Sequence, residues 1–240
     1  MTHGNSQKRI SLFVILFILV SPVEMASFAS ASTPPATTIS ISGANHVEQN
    51  QTVAYTNSPI SITFSISVPS GAFTNGQYWY SGTSNGSGTY SNGTVLNLTS
   101  SNSGVITLNY RASSSAANES NNTLTVTFDF SNPTPSISAF SNSYVDNFAP
   151  LSSPPSRWVR SSSTGLVQLQ CTDSLSNIQT LRVMYPNGTE ILNLSGVNNH
   201  LYNTSAHIPN STQYDRLDFE CIDRAGNVAN FTFMYMVDTF

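Results

Sequence analysis

The chain has 240 residues, of which 39% are hydrophobic and only 8% charged, with a formal net charge of −4. Eight Lys and Arg residues scattered along it form no basic patch, which argues against nucleic-acid binding. Ser, Thr and Asn supply the polarity, and the length is sufficient for two ordinary domains behind a leader.

Lys8 and Arg9 precede an apolar run from Ile10 to Val20, and a small-residue stretch ends in Ala29-Ser30-Ala31. That order predicts a signal peptide over residues 1–31, cleaved after Ala31. The run is too short for a transmembrane helix, which needs about 20 apolar residues, and no later run is longer. The mature chain is therefore expected to carry no transmembrane segment. Thr37 to Ser42 has strand character and opens a first module, assigned to residues 37–148. Ile60, Ile62, Phe64, Ile66 and Val68 alternate with polar residues, the period of a half-buried strand, and Leu124, Val126, Phe128 and Phe130 do the same. Asn75-Gly76, Asn85-Gly86, Asn92-Gly93 and Asn187-Gly188 supply the positive φ that tight turns require.

Between the first two of these turns lies Tyr78-Trp79-Tyr80, followed by Ser81 to Tyr90, read as a long loop. The pattern favours Trp79 in the core with both tyrosines outside; the reverse leaves Trp79 on the surface. Either arrangement leaves an aromatic exposed, so Tyr78, Trp79 and Tyr80 mark a candidate contact surface. Residues 149–156 contain Pro150, Pro154 and Pro155, which remove backbone donors and predict a stiff linker. A second module is assigned to residues 157–240. Its alternating strands include Leu166 to Cys171, Leu217 to Cys221 and Phe231 to Val237.

Two segments recur. YSNGTVLNLT at 90–99 returns as YPNGTEILNLS at 185–195, and YVDNFAP at 144–150 returns as MVDTF at 236–240. A period near a hundred residues is the size of a β-sandwich. The reading is all-β: two tandem antiparallel sandwiches. Cys171 and Cys221 both sit on alternating strands of the second module and, after export, are expected to oxidise to a disulfide.

These residues carry a resemblance. Asp215-x-Leu217-x-Phe219-x-Cys221 is similar to the strand F motif of immunoglobulin domains, with Cys171 in the strand B place. Asp223-Arg-Ala-Gly-Asn227, followed by a strand ending in Val237-Asp238-Thr239, resembles prokaryotic Ig-like repeats of surface and secreted proteins. Phe219 replaces the usual tyrosine, and no tryptophan follows Cys171 at the usual distance. In the first module Ile66 and Phe128 are placed where the cysteines would be.

No nucleophile elbow, metalloprotease helix or phosphate loop is present, and His46, His200 and His207 fit no metal motif. No enzyme activity and no cofactor are expected. The acidic residues Asp146, Asp223 and Asp238 are a candidate calcium set near module ends. Sequons at Asn50, Asn85, Asn92, Asn97, Asn118, Asn121, Asn187, Asn193, Asn203, Asn210 and Asn230 are candidate glycosylation sites. The expected role is a non-catalytic extracellular module, an adhesin or structural stalk at a cell surface, with a protein or glycan partner. The alternative is the accessory region of a larger secreted hydrolase extending beyond Phe240.

Overall fold

The structure, a computed structural model, describes residues 32–141, 156–160, 166–197, 199–203 and 214–238. Strands alone make up its regular secondary structure there. The first strand system contains β1 (Ala36–Ser42), β2 (His46–Val47), β3 (Val53–Thr56), β4 (Ile60–Ser67), β5 (Phe73–Gly82), β6 (Gly86–Tyr90), β7 (Val95–Leu98), β8 (Gly104–Ser114) and β9 (Asn122–Phe128). One sheet has the order β1-β4-β7, and the facing sheet β2-β3-β9-β8-β5-β6. The second system contains β10 (Thr134–Ser141), β11 (Ser156–Arg160), β12 (Leu166–Thr172), β13 (Ile178–Met184), β14 (Glu190–Ser195), β15 (Asn199–Asn203), β16 (Tyr214–Asp223) and β17 (Val228–Asp238). Its sheets run β10-β12-β15 and β11-β17-β16-β13-β14.

Alternation places the core. Ile60, Ile62 and Phe64 of β4 meet Ile106, Leu108 and Tyr110 of β8 and Leu124, Val126 and Phe128 of β9, all buried. A second cluster joins Leu169 and Cys171 of β12 to Leu181 and Val183 of β13 and Phe219 and Cys221 of β16. The chain divides into two units, Met1–Ala31 and Ser32–Phe240, and both cores lie in the latter. Cys171 and Cys221 form the expected disulfide, with Cα atoms 6.1 Å apart, and join the two sheets through the second core.

Several expectations change. Not every ladder is antiparallel: β3 pairs with β9, and β11 with β17, in parallel. β10, placed by sequence in the first module, hydrogen-bonds with β12 of the second system. Pro135 is tolerated there because β10 is an edge strand of its sheet. Residues 142–155, including most of the 149–156 linker and the YVDNFAP segment, lie outside the described residues.

The other repeat does not superpose. Tyr90 to Leu98 runs from β6 across a turn into β7, which pairs with β4. Tyr185 to Leu194 instead makes the hairpin between β13 and β14. One turn-and-strand sequence thus serves two different connections. The cysteine equivalents also shift. Phe128 lies on β9, paired with Gly104 of β8, and Ile66 is only partly buried. In the first core Phe64 crosses between the sheets, stacked on Tyr90 with centroids 4.2 Å apart and edge-on to Tyr110 at 5.6 Å.

Residues 81–90 are not a long loop. β6 pairs with β5 in a register that sets Tyr90 opposite Gly76, Tyr78 opposite Gly88 and Tyr80 opposite Gly86. Each ring lies over the glycine across the ladder, where a Cβ would collide with it. Tyr78 and Tyr80 pack against the core, and Trp79 takes the outer face, the reverse of the favoured expectation. Strand parity leaves no other option once the tyrosines point inward.

Candidate functional site

The turn between β16 and β17 explains the Asp223-Arg-Ala-Gly-Asn227 motif residue by residue. Asp223 accepts hydrogen bonds from the Asn227 backbone N–H at 2.9 Å and from Asn227 Nδ2 at 2.8 Å. Ala225 is fully buried, so a larger side chain has no room. Gly226 has φ +87°, and Asn45 of the first system packs where its Cβ would be. Asn227 Nδ2 also donates to the Asp129 carbonyl at 2.8 Å, and Asn227 Oδ1 accepts from Asn57 Nδ2 at 3.1 Å. The Arg224 guanidinium reaches Glu48 Oε1 at 3.2 Å and lies 5.4 Å from the Tyr55 ring centre. A single turn of the second system is therefore fastened to β3, to the β3–β4 connection and to the end of β9.

Beside this turn three carboxylates converge. Asp129, Asp173 and Asp223 each bring one oxygen to within 4.8 Å of the others. Asp129 and Asp223 are fully buried, and Asp173 is partly exposed. Asp173 follows β12 and folds the next turn, its Oδ1 accepting from the N–H groups of Leu175, Ser176 and Asn177 at 2.6–3.0 Å. Asp129 Oδ1 accepts from the Ser131 N–H at 2.9 Å. Its Oδ2 is buried and has no hydrogen-bond donor. Burial raises the Asp223 carboxyl above the ordinary carboxylate range; the Asn227 bonds oppose that, and the charges of Asp129 and Asp173 reinforce it. Two unit charges about 4 Å apart interact by about 4 kcal/mol at protein-like screening. No ion pair described in the structure includes any of the three.

Of the expected calcium residues, Asp223 belongs to this cluster, Asp146 lies outside the described residues, and the side chain of Asp238 does as well. The sequence does not single out Asp129 and Asp173. They stand 44 residues apart in sequence, and each reads locally as an ordinary polar position. The one available signal was Asp129 between Phe128 and Phe130, an acid beside a core residue at a strand end.

Trp79 is partly buried on the outer face of the six-stranded sheet. The Arg111 guanidinium lies 5.9 Å from its ring centre, and Asn109 and Ser87 are its ladder neighbours. Tyr78 and Tyr80 are turned away from that face. The sequon asparagines 50, 85, 92, 97, 118, 121, 187, 193 and 230 are all exposed. Asn210 and the side chain of Asn203 lie outside the described residues.

No protein-family model and no curated protein matches the sequence. Among solved structures, the chain is similar to fibronectin(III)-like modules of Clostridium thermocellum CbhA, at 11% identity and TM-score 0.42, over 84% of this chain and 95% of that one. A 1.5-MDa bacterial ice-binding adhesin aligns at 15% identity and TM-score 0.32, over 87% of this chain and 66% of that one. A two-domain fibronectin type III segment of chicken tenascin aligns at 12% identity and TM-score 0.29, covering 85% and 99%. Likenesses this distant carry nothing about function.

Proposed function

We propose that this chain is a non-catalytic extracellular module that acts as a stiff spacer in an adhesive or structural surface protein. The observation that carries this reading is the fastening of the β16–β17 turn to the first strand system through Asn227, Arg224 and Gly226. Side chains that bridge two cores resist bending between them, which is what a stalk requires. The Cys171–Cys221 bridge supports an oxidising compartment, and the exposed sequons support a glycosylated surface. Small-angle scattering of the wild type beside Asn227→Ala tests it. The wild type should fit one conformation, and the variant, which loses three side-chain hydrogen bonds, a broader set. A wild type as variable as Asn227→Ala would sink the spacer reading.

A second reading, favoured by Trp79 on an outer sheet face, is an accessory carbohydrate- or partner-binding region of a larger secreted hydrolase. Aromatic faces stack on sugar rings, and the Arg111, Asn109 and Gln77 side chains offer polar contacts around it. A glycan array probed with wild type and Trp79→Ala decides it. Binding lost in the variant supports this reading, and no binding by the wild type removes it.

A further inference from the structure

We propose that Asp129, Asp173 and Asp223 form a calcium site that ties the end of the first strand system to two turns of the second. Two independent observations lead there. Three carboxylates bring oxygens within 4.8 Å of one another, although like charges avoid such proximity unless something neutralises them. Separately, Asp129 Oδ2 is buried without a donor, and a buried carboxylate oxygen normally has a partner. A cation among the three satisfies both: it offsets the repulsion and partners the orphaned oxygen.

The chemistry of the donors selects the ion. All are hard oxygens, and among the described residues no His or Cys joins the cluster, which disfavours zinc and copper. Magnesium demands near-ideal octahedral geometry and retains its waters. The three acids come from a strand end, a turn after β12 and the β16–β17 turn, each carboxylate held by hydrogen bonds within its own segment. Such a set suits the looser coordination of calcium, with water completing the shell. Asp173, partly exposed, leaves a route from solvent. The three positions are far apart in sequence, so the site exists only when β9, β12 and β16 are assembled. Calcium then binds the folded chain in preference to the unfolded one and stabilises it.

The test is calorimetric titration of the chelator-stripped full chain with CaCl2, together with thermal melting in chelator, CaCl2, MgCl2 and NaCl of matched ionic strength. One saturable calcium site is expected, with a dissociation constant of roughly 10⁻⁴–10⁻³ M, the range of extracellular modules. Saturating calcium should raise Tm by about 5 °C or more. Asp129→Asn should weaken binding at least tenfold, yet melt no lower than wild type in chelator, because it removes a repelling charge. Asp173→Asn keeps the oxygen that caps its turn and should show the same loss even if the first variant folds poorly. Absence of saturable binding by the wild type, an equal shift in MgCl2 or NaCl, or wild-type affinity in both variants each overturns the proposal.

Discussion

Tyr90 shows how one hydroxyl can be committed to its neutral form. Thr37 Oγ1 donates to Glu119 Oε2 at 2.7 Å, so the 2.9 Å contact between Thr37 Oγ1 and Tyr90 is donated by the tyrosine. Burial pushes the Tyr90 phenol up from its ordinary value near 10 to about 12, and the Glu119 charge adds to it. A raised folded-state value means that the stability tied to the neutral phenol is fully present below pH 10 and is lost as pH climbs through 12. Tyr90→Phe should cost about 1 kcal/mol at neutral pH, through the lost hydrogen bond. Between pH 10 and 12 its stability should fall less steeply than that of wild type, by up to about 1.4 kcal/mol per pH unit. Urea unfolding of both proteins across the alkaline range measures the difference, and parallel curves would contradict it.

At the scale of elements, the β5–β6 hairpin is specified by two complementary strings, Gly76-Gln-Tyr78-Trp-Tyr80 and Gly86-Ser-Gly88-Thr-Tyr90. Their antiparallel register places aromatic against glycine three times on one face. A slip of β5 by one residue would turn Tyr78 and Tyr80 away from the core and Trp79 into it. The ladder also positions Tyr90 to stack on Phe64, with centroids 4.2 Å apart. Gly76→Ala would bring a methyl to 2.6 Å from the Tyr90 ring at a buried position. The ring would have to leave Phe64, so the expected cost is about 1–3 kcal/mol by urea unfolding. An unchanged midpoint would show that Tyr90 can move without loss.

The whole molecule solves the same cross-sheet problem twice by different means. In the first core Phe64 reaches Tyr110 and Tyr90 through packing alone; in the second, oxidised sulfur spans the gap. Closing a separation of 50 residues stabilises by about 4 kcal/mol in the chain-entropy account. The Cys171→Ala, Cys221→Ala double variant should therefore lower the stability of the second system by about that amount while the first keeps its midpoint. Tryptophan fluorescence distinguishes the two systems, because Trp79 reports on the first and Trp158 stands on β11 of the second. Loss of both signals at one lowered midpoint would show that the cores unfold as a unit.

Period-2 alternation by itself determined the all-β class, the core-facing residues of β4 and β9, and the two thiols that meet. Each is written locally, in the parity of neighbouring residues and in glycines at turns. The duplicated segments misled because a tyrosine, an Asn-Gly turn and an apolar strand are generic hairpin chemistry; resemblance at that level does not specify which strand follows. The orientation of Trp79 required knowledge that glycines on β6 receive the tyrosines. The transfer of β10 to the second system and the meeting of Asp129, Asp173 and Asp223 were decided by tertiary structure alone. Hydrogen-bonding partners across a sheet and charges at the ends of three separate strands are chosen by long-range closure, which no window of sequence records.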